Sequence, residues 1–130
     1  MPQTEVRFYK NSADVSPIID WLQGLPDPPL MVRTKCDACI RALREQGHEL
    51  RRPTSDSLRD GIHELRFRVQ RVQYRLLYFF HGQERHVAVI THALTKEGAV
   101  PDKDIDYAVS CRNAFDQNPD AHTYKRSKKV

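Results

Sequence analysis

The chain has 130 residues, of which 39% are hydrophobic and 29% charged, so its composition is that of a folded domain rather than a disordered chain. Lys and Arg outnumber Asp and Glu by 21 to 17, and the formal net charge of +4 modestly favours a polyanionic partner. No apolar run reaches the length of a membrane span, and the first residues lack the apolar stretch of a signal peptide. We therefore expect a cytoplasmic protein with no membrane partner.

The three cysteines do not have the pattern of a disulfide framework or of a metal site. Cys36 and Cys39 form a C-x-x-C pair, but a structural zinc site takes four ligands and the only other cysteine is Cys111. A redox C-x-x-C begins a helix after a strand, whereas this pair lies inside a helical pattern. We interpret both thiols as small, half-buried helix residues, and we expect no metal and no cofactor.

The N-terminal part of the chain is predicted to form one strand and a hairpin of two helices. Alternating apolar and polar side chains indicate a strand at residues 5–10. A serine–proline start and apolar residues at helical spacing predict a helix over 17–25. A second helix, over 28–46, ends at Gly47 and is followed by a polar loop at 48–60.

After Gly61 the spacing of apolar residues changes from helical to a period of two. Residues 62–69 have one apolar and one charged side, which predicts a strand. Runs at 72–80 and 85–95 are apolar on both sides, which predicts central strands that are covered on both faces. Short turns join the three runs, so we expect an antiparallel meander.

A last helix is predicted over 101–116, because a proline starts it and acidic residues fill its first turn. One domain then covers residues 1–118, and 119–130 form a basic, mobile tail. The order of strand, two-helix hairpin, three-stranded antiparallel meander and C-terminal helix is that of an α+β fold. We expect its helices on one face of the sheet.

Four cations lie in the meander strands or at their ends: Arg66, Arg68, Arg75 and Lys96. Arginine presents a planar fork to phosphate oxygens, and a strand limits how far the side chain moves, so the set indicates an anion-binding face. Each cation alone is more typical of a solvated strand edge or of a surface ion pair. Glu64 is near enough in sequence to pair with Arg66 or Arg68.

Three more side chains of these strands are candidates for chemistry: His63, Tyr78 and His92. A single strand histidine is more often a structural residue than a catalyst. A strand tyrosine is a core aromatic residue, with its hydroxyl at the rim of the core, about as often as it is a functional residue. From the residues alone we therefore predict a phosphate-binding face on an α+β domain.

Four segments of the second half of the chain form a pattern: GIHELR at 61–66, QYRLLY at 73–78, VAVITHALTK at 87–96 and VPDKDIDYA at 100–108. In this order they resemble the RelE/ParE toxin superfamily and within it the HigB-like, phage-derived group. The family pattern is a strand with Glu-Leu-Arg, a strand with Tyr-Arg, an aliphatic strand that ends on a basic position, and a helix that starts at proline. The resemblance extends over about residues 5–116 and implies a RelE-like fold.

The resemblance implies the toxin of a type II toxin–antitoxin system, which enters the ribosome and cuts mRNA. The RNA's own 2′-hydroxyl is then the nucleophile, and the protein orients the RNA, stabilises the phosphorane and moves protons. Arg66, Arg75 and Lys96 match the family's basic positions and are expected to contact the phosphate, with His92 and Tyr78 moving protons. Four further residues are expected to bind RNA: Arg68, His63, Lys125 and Arg126.

The sequence departs from the family where two basic residues usually follow each other, because Lys96 is followed by Glu97. The implied partners are a cognate helix-turn-helix antitoxin, the ribosome and mRNA. Two other functions stay open: a ParE-like poison of DNA gyrase, and a catalytically inactive remnant that only binds its antitoxin. Either Arg66→Ala or Arg75→Ala is expected to relieve toxicity without unfolding the protein.

Overall fold

The computed structural model describes residues 3–25, 31–82 and 86–125. In chain order the elements are β1 (Glu5–Phe8), α1 (Pro17–Gln23), α2 (Met31–Gln46), β2 (Ser55–Ser57), β3 (Ile62–Val69), β4 (Val72–His81), β5 (Val87–Thr95) and α3 (Asp102–Gln117). The strands form one sheet in the order β1-β5-β4-β3-β2. The predicted α+β class and RelE-like order of elements are confirmed.

The three long strands are consecutive antiparallel neighbours, as the period of two after Gly61 predicts. β1 lies beside β5 and runs parallel to it, at one edge of the sheet. Strand β5 contains a bulge: Leu77 pairs with His92 and Tyr78 pairs with Ile90, so Thr91 is left over between them. Such an extra residue re-aims the side chains next to it.

The opposite edge is formed by β2, which lies inside the segment predicted to be a polar loop. Ser55 pairs with Leu65 and Ser57 pairs with His63. The loop prediction is therefore wrong at residues 55–57. A three-residue polar strand has no apolar alternation of its own, and its conformation comes from hydrogen bonds to the edge of β3.

The ends of the first two helices follow from local sequence. Ser16 Oγ accepts a backbone hydrogen bond from the first turn of α1, as the serine–proline start predicts. α1 ends before Pro26, which lies with the rest of residues 26–30 outside the described part of the chain. α2 ends where predicted, because Gly47 has a φ of +56° and a Cβ there would collide with the Thr4 hydroxyl. No helix in the described ranges is long and apolar enough to cross a membrane.

Two apolar cores lie on the two faces of the sheet. α1 and α2 cover the face that carries Leu65 and Leu76, and α3 covers the face that carries Leu77 and Phe79. The prediction that the helices lie on one face is therefore wrong. The two-sided cover of β4 and β5, predicted from their continuous apolar character, is confirmed.

The chain after α3 returns to the β1 edge of the sheet. The Tyr124 N–H donates to the Phe8 carbonyl at 2.8 Å, and the His122 ring stacks on Tyr9 with centroids 5.5 Å apart. Residues 122–124 are therefore packed against the β1 edge, a part of the segment that is predicted to be a mobile tail.

Candidate functional site

Arg66 on β3 and Arg75 on β4 lie directly opposite each other in the strand register. Both project to the face of the sheet that α3 covers, because Leu77 of that face is two residues from Arg75. They line one cleft of about 500 Å³, together with Glu64 and the segment 97–100 that follows β5. Two of the three predicted phosphate contacts therefore share one concave surface, which we call the Arg66–Arg75 cleft.

All three nitrogens of the Arg75 guanidinium form hydrogen bonds inside the protein. Nη1 donates to Glu64 Oε1 at 2.6 Å, Nε to the Lys96 carbonyl at 3.0 Å, and Nη2 to the Gly98 carbonyl at 2.9 Å. The ion pair is buried, with 8% of the Arg75 side chain and 3% of the Glu64 side chain exposed. Arg75 therefore fixes the chain after β5 against the sheet, and its direct contact with a phosphate stays a prediction.

The side chain of Arg66, in contrast, is only half-buried and keeps a donor without a partner. Its Nε is buried and forms no hydrogen bond with any residue that the structure describes. A buried donor without an acceptor is destabilising, and an anionic oxygen satisfies it once the side chain shifts to expose Nε. Arg66 also lines a second cleft, beside α2, so it stands where two openings meet. Of the predicted cations, Arg66 is the one best placed to bind an anion.

The other two predicted cations lie at the rim. Lys96 is exposed, and its backbone N–H donates to the Gln73 carbonyl at 3.2 Å. Convergence of its ammonium on the cleft stays a prediction. Arg68 Nη2 lies 3.0 Å from Glu97 Oε1. Glu97, the departure from the family pattern, is therefore the residue that partly neutralises Arg68.

Tyr78 and His63 lie on the face of the sheet opposite to Arg75. The Tyr78 hydroxyl is 2.6 Å from Ser55 Oγ, and the rings of Tyr78 and His63 stack with centroids 5.3 Å apart. Burial raises the pKa of Tyr78 above its ordinary value, which makes its hydroxyl a poorer proton donor. Tyr78 and His63 line a different cleft from Arg66, of about 460 Å³, which shares Arg52 and Asp56 with the Arg66–Arg75 cleft.

His92 lies on the same face as Arg75, next to the bulge in β5. Its Nε2 is 3.0 Å from Asp104 Oδ1, and its Nδ1 is 2.8 Å from Thr91 Oγ1. Burial lowers the pKa of His92, and the hydrogen bond to Asp104 acts in the opposite direction. The ring therefore links β5 to the first turn of α3 in its neutral form at pH 7.

Residues 20–112, which include Arg66 and Arg75, match the family described as "Phage derived protein Gp49-like (DUF891)". The match extends over well over half of the chain. The chain belongs to this Gp49-like family. No curated protein was found to match the chain. The matched range of the Gp49-like chain also includes Glu64 and Lys96. The Glu64–Arg75 ion pair and the segment after β5 that Arg75 holds therefore lie inside the matched range.

Two features of the Gp49-like cleft differ from what the sequence predicts. The sequence pairs Glu64 with Arg66 or Arg68, and the structure pairs it with Arg75. Sequence reasoning also misses Arg52, which lines both the Arg66–Arg75 cleft and the cleft beside α2. The one signal for it is an adjacent pair of arginines before a proline, but a polar loop has no periodicity that shows where they point.

Of the predicted RNA contacts in the tail of the Gp49-like chain, Lys125 is not brought to the cleft. Lys125 is exposed beside β1, three strands away from β3. Adjacent strands are about 4.8 Å apart, which places the two strands about 14 Å from each other. Arg126 lies outside the described residues.

The Gp49-like chain is expected to lose stability through His92 as the pH falls. The unfolded chain binds a proton at the ordinary histidine pKa of about 6.5, and the folded chain binds it at a lower pH. The free energy of unfolding therefore falls below about pH 6.5, by at most about 1.4 kcal/mol per pH unit. Urea titrations at pH 7.5 and 5.5 should show a smaller pH effect in His92→Gln than in wild type. An equal pH effect in both proteins would contradict the assignment.

Proposed function

We propose that this Gp49-like chain is the toxin of a type II toxin–antitoxin system and that it cuts mRNA on the ribosome. The observation that carries the proposal is Arg66, a half-buried guanidinium whose Nε has no partner among the described residues, at the junction of two clefts. The family is associated with RelE-type toxins, and the RelE-like order of elements supports the same class.

The proposed reaction needs no nucleophile from the protein. The RNA's 2′-oxygen loses its proton and attacks the adjacent phosphorus, and the bond from phosphorus to the 5′-oxygen breaks as that oxygen gains a proton. The pentavalent intermediate carries more negative charge than the phosphodiester. A guanidinium at Arg66 therefore stabilises the transition state more than the bound substrate, which is the condition for a higher rate.

Arg75 contributes to this reaction indirectly, because it positions the segment after β5. Its hydrogen bonds to the Lys96 and Gly98 carbonyls hold the segment after β5 beside the strand that carries Arg66. A site held by fixed bonds needs little reorganisation during the reaction. Of the two predicted proton carriers, only His92 lies on the face of the sheet that carries the cleft. We assign Tyr78 to the packing of the opposite face.

Expression of the chain without an antitoxin is expected to arrest growth and to create new mRNA 5′ ends inside translated regions. A cognate helix-turn-helix antitoxin, expressed together with it, is expected to prevent both effects. In the control, translation is blocked after the chain has accumulated, and new 5′ ends are then expected to stop forming. Gyrase-linked DNA breaks without new 5′ ends would contradict the proposal and indicate a ParE-like poison. Normal growth without new 5′ ends would indicate an inactive remnant.

A further inference from the structure

A second cleft, of about 560 Å³, lies between α2 and the part of β3 that extends past β2. Cations surround it: Lys35 from α2, Arg52 from the loop before β2, and Arg66 and Arg68 from β3. None of its lining side chains among the described residues is acidic. We call this opening the α2 cleft. Its charge is therefore more one-sided than that of the Arg66–Arg75 cleft, whose lining includes carboxylates.

The cations of the α2 cleft are accessible to a ligand. Arg52 and Arg68 pair with the solvent-accessible carboxylates of Asp56 and Glu97, and such surface pairs are weak enough to exchange for a phosphate. Lys35 Nζ donates to the Arg68 carbonyl at 2.8 Å and has no carboxylate partner among the described residues. The cleft thus offers donors on three sides of one opening.

The α2 cleft also has four apolar lining residues, which we call its floor. They are Ala38, Cys39, Pro53 and Phe67. Burial raises the pKa of Cys39 to about 11, so its thiol is a neutral, apolar part of this floor at physiological pH. An apolar floor under a cationic rim suits a ligand with a flat apolar part and an anionic part, which is the chemistry of a nucleotide.

The two clefts are adjacent, because Arg52 and Arg66 line both of them. A chain of nucleotides with one phosphate at Arg66 therefore has both clefts within reach. We propose that the α2 cleft is a binding subsite for a nucleotide of single-stranded RNA next to the phosphate at Arg66, with its base on the apolar floor and its phosphate at Lys35 and Arg68. The subsite rests on the proposed function, since it takes a neighbouring part of the same RNA.

The test measures binding without cleavage and without the ribosome. The probe is a fluorescent single-stranded RNA oligonucleotide with 2′-O-methyl groups throughout, so that it has no nucleophile, and its anisotropy is followed at increasing salt. The variants are Lys35→Glu and, as a matched control, Arg44→Glu. Both residues are exposed on α2, and the helical repeat places them on opposite sides of it.

Lys35→Glu is expected to weaken binding on the order of tenfold and to lower the slope of the salt dependence by about 0.7 for each phosphate that the protein no longer neutralises. Arg44→Glu is expected to change the affinity and the slope of the salt dependence much less. An abasic oligonucleotide of the same length is expected to bind at least about fivefold more weakly than the probe, because it has no base to place on the floor. Thermal unfolding checks that both variants are folded.

Equal losses of affinity in the two variants would overturn the subsite, because they would show a general effect of net charge. Equal binding of the abasic oligonucleotide, or no binding of the probe to wild type at low salt, would also overturn it. These binding results do not depend on whether the chain cuts mRNA, so they test the subsite separately from the proposed function. A chain that binds the probe through Lys35 but cuts no mRNA keeps the subsite and loses the activity. If the chain cuts mRNA but Lys35→Glu binds the probe as tightly as wild type, only the subsite is overturned.

Discussion

Arg66→Ala is expected to lower the rate of ribosome-dependent mRNA cleavage by about a hundredfold or more, because it removes the fixed charge that faces the phosphorane. The fold is expected to stay intact, with a free energy of unfolding within about 1 kcal/mol of wild type. The substitution takes away a buried Nε that has no hydrogen-bond partner among the described residues. Cleavage rates and urea unfolding of the purified variant measure the two effects.

Two further variants test whether the loss of cleavage is specific to the guanidinium of Arg66. Arg66→Lys keeps the charge but loses the planar fork, so an intermediate rate is expected. Arg44→Ala removes an exposed arginine of α2 and is expected to cut at the wild-type rate. Wild-type cleavage by Arg66→Ala, or a loss of activity that follows a loss of folded protein, would contradict a role of Arg66 in the reaction.

Glu64→Ala is expected to lower the free energy of unfolding by about 3–5 kcal/mol, because it leaves the buried guanidinium of Arg75 without its counter-ion. The Arg75 side chain is 8% exposed, so water does not replace the lost carboxylate. Domains of this kind are stable by about 5–15 kcal/mol, so the loss is a large part of the total. Chemical denaturation followed by circular dichroism measures it.

Glu5→Ala is the matched control for this effect of burial. Glu5 Oε2 lies 2.6 Å from Arg7 Nε, the same separation as in the Glu64–Arg75 pair, but 58% of the Glu5 side chain is exposed. We expect a change of less than about 1 kcal/mol. Similar losses in Glu5→Ala and Glu64→Ala would show that the Arg75 pair is not a buried support of the site.

The same ion pair corrects one expectation from the sequence. Arg75→Ala leaves the buried Glu64 without its ion-pair partner, so we expect the variant to be destabilised instead of being an inactive but stable protein. Loss of toxicity in Arg75→Ala therefore does not show that Arg75 touches RNA. Arg66→Ala is the variant that separates chemistry from folding.

The fold is predictable from the sequence where a residue pattern has one structural meaning. Alternation places β3, and two-sided apolar runs place β4 and β5 in the centre of the sheet. The strand at 55–57 is not predictable, because pairing with β3 rather than its own polar sequence determines it. The path of the chain after β5 determines which side of the sheet α3 covers. No local sequence pattern predicts this path.

The site is predictable only in part, because residue types do not reveal their partners. Motif positions identify Arg66 and Arg75, and the register confirms that they lie opposite each other. The pairing of Glu64 with Arg75 depends on which face of an apolar strand Arg75 occupies, and a strand that is apolar on both faces carries no such signal. For the same reason Tyr78 is a candidate in the sequence and a buried residue of the other face in the structure.

The most direct test of the proposed function follows cleavage of one mRNA by the purified chain on programmed ribosomes. Two transcripts are compared, one all-RNA and one with a single 2′-deoxy nucleotide at the position that is cut. We predict cleavage of the first, protection of that site in the second, and little cleavage of either transcript without ribosomes. Cleavage of the 2′-deoxy site, or equal cleavage of the free RNA, would contradict a reaction in which the ribosome-bound RNA supplies its own nucleophile to a phosphate at Arg66.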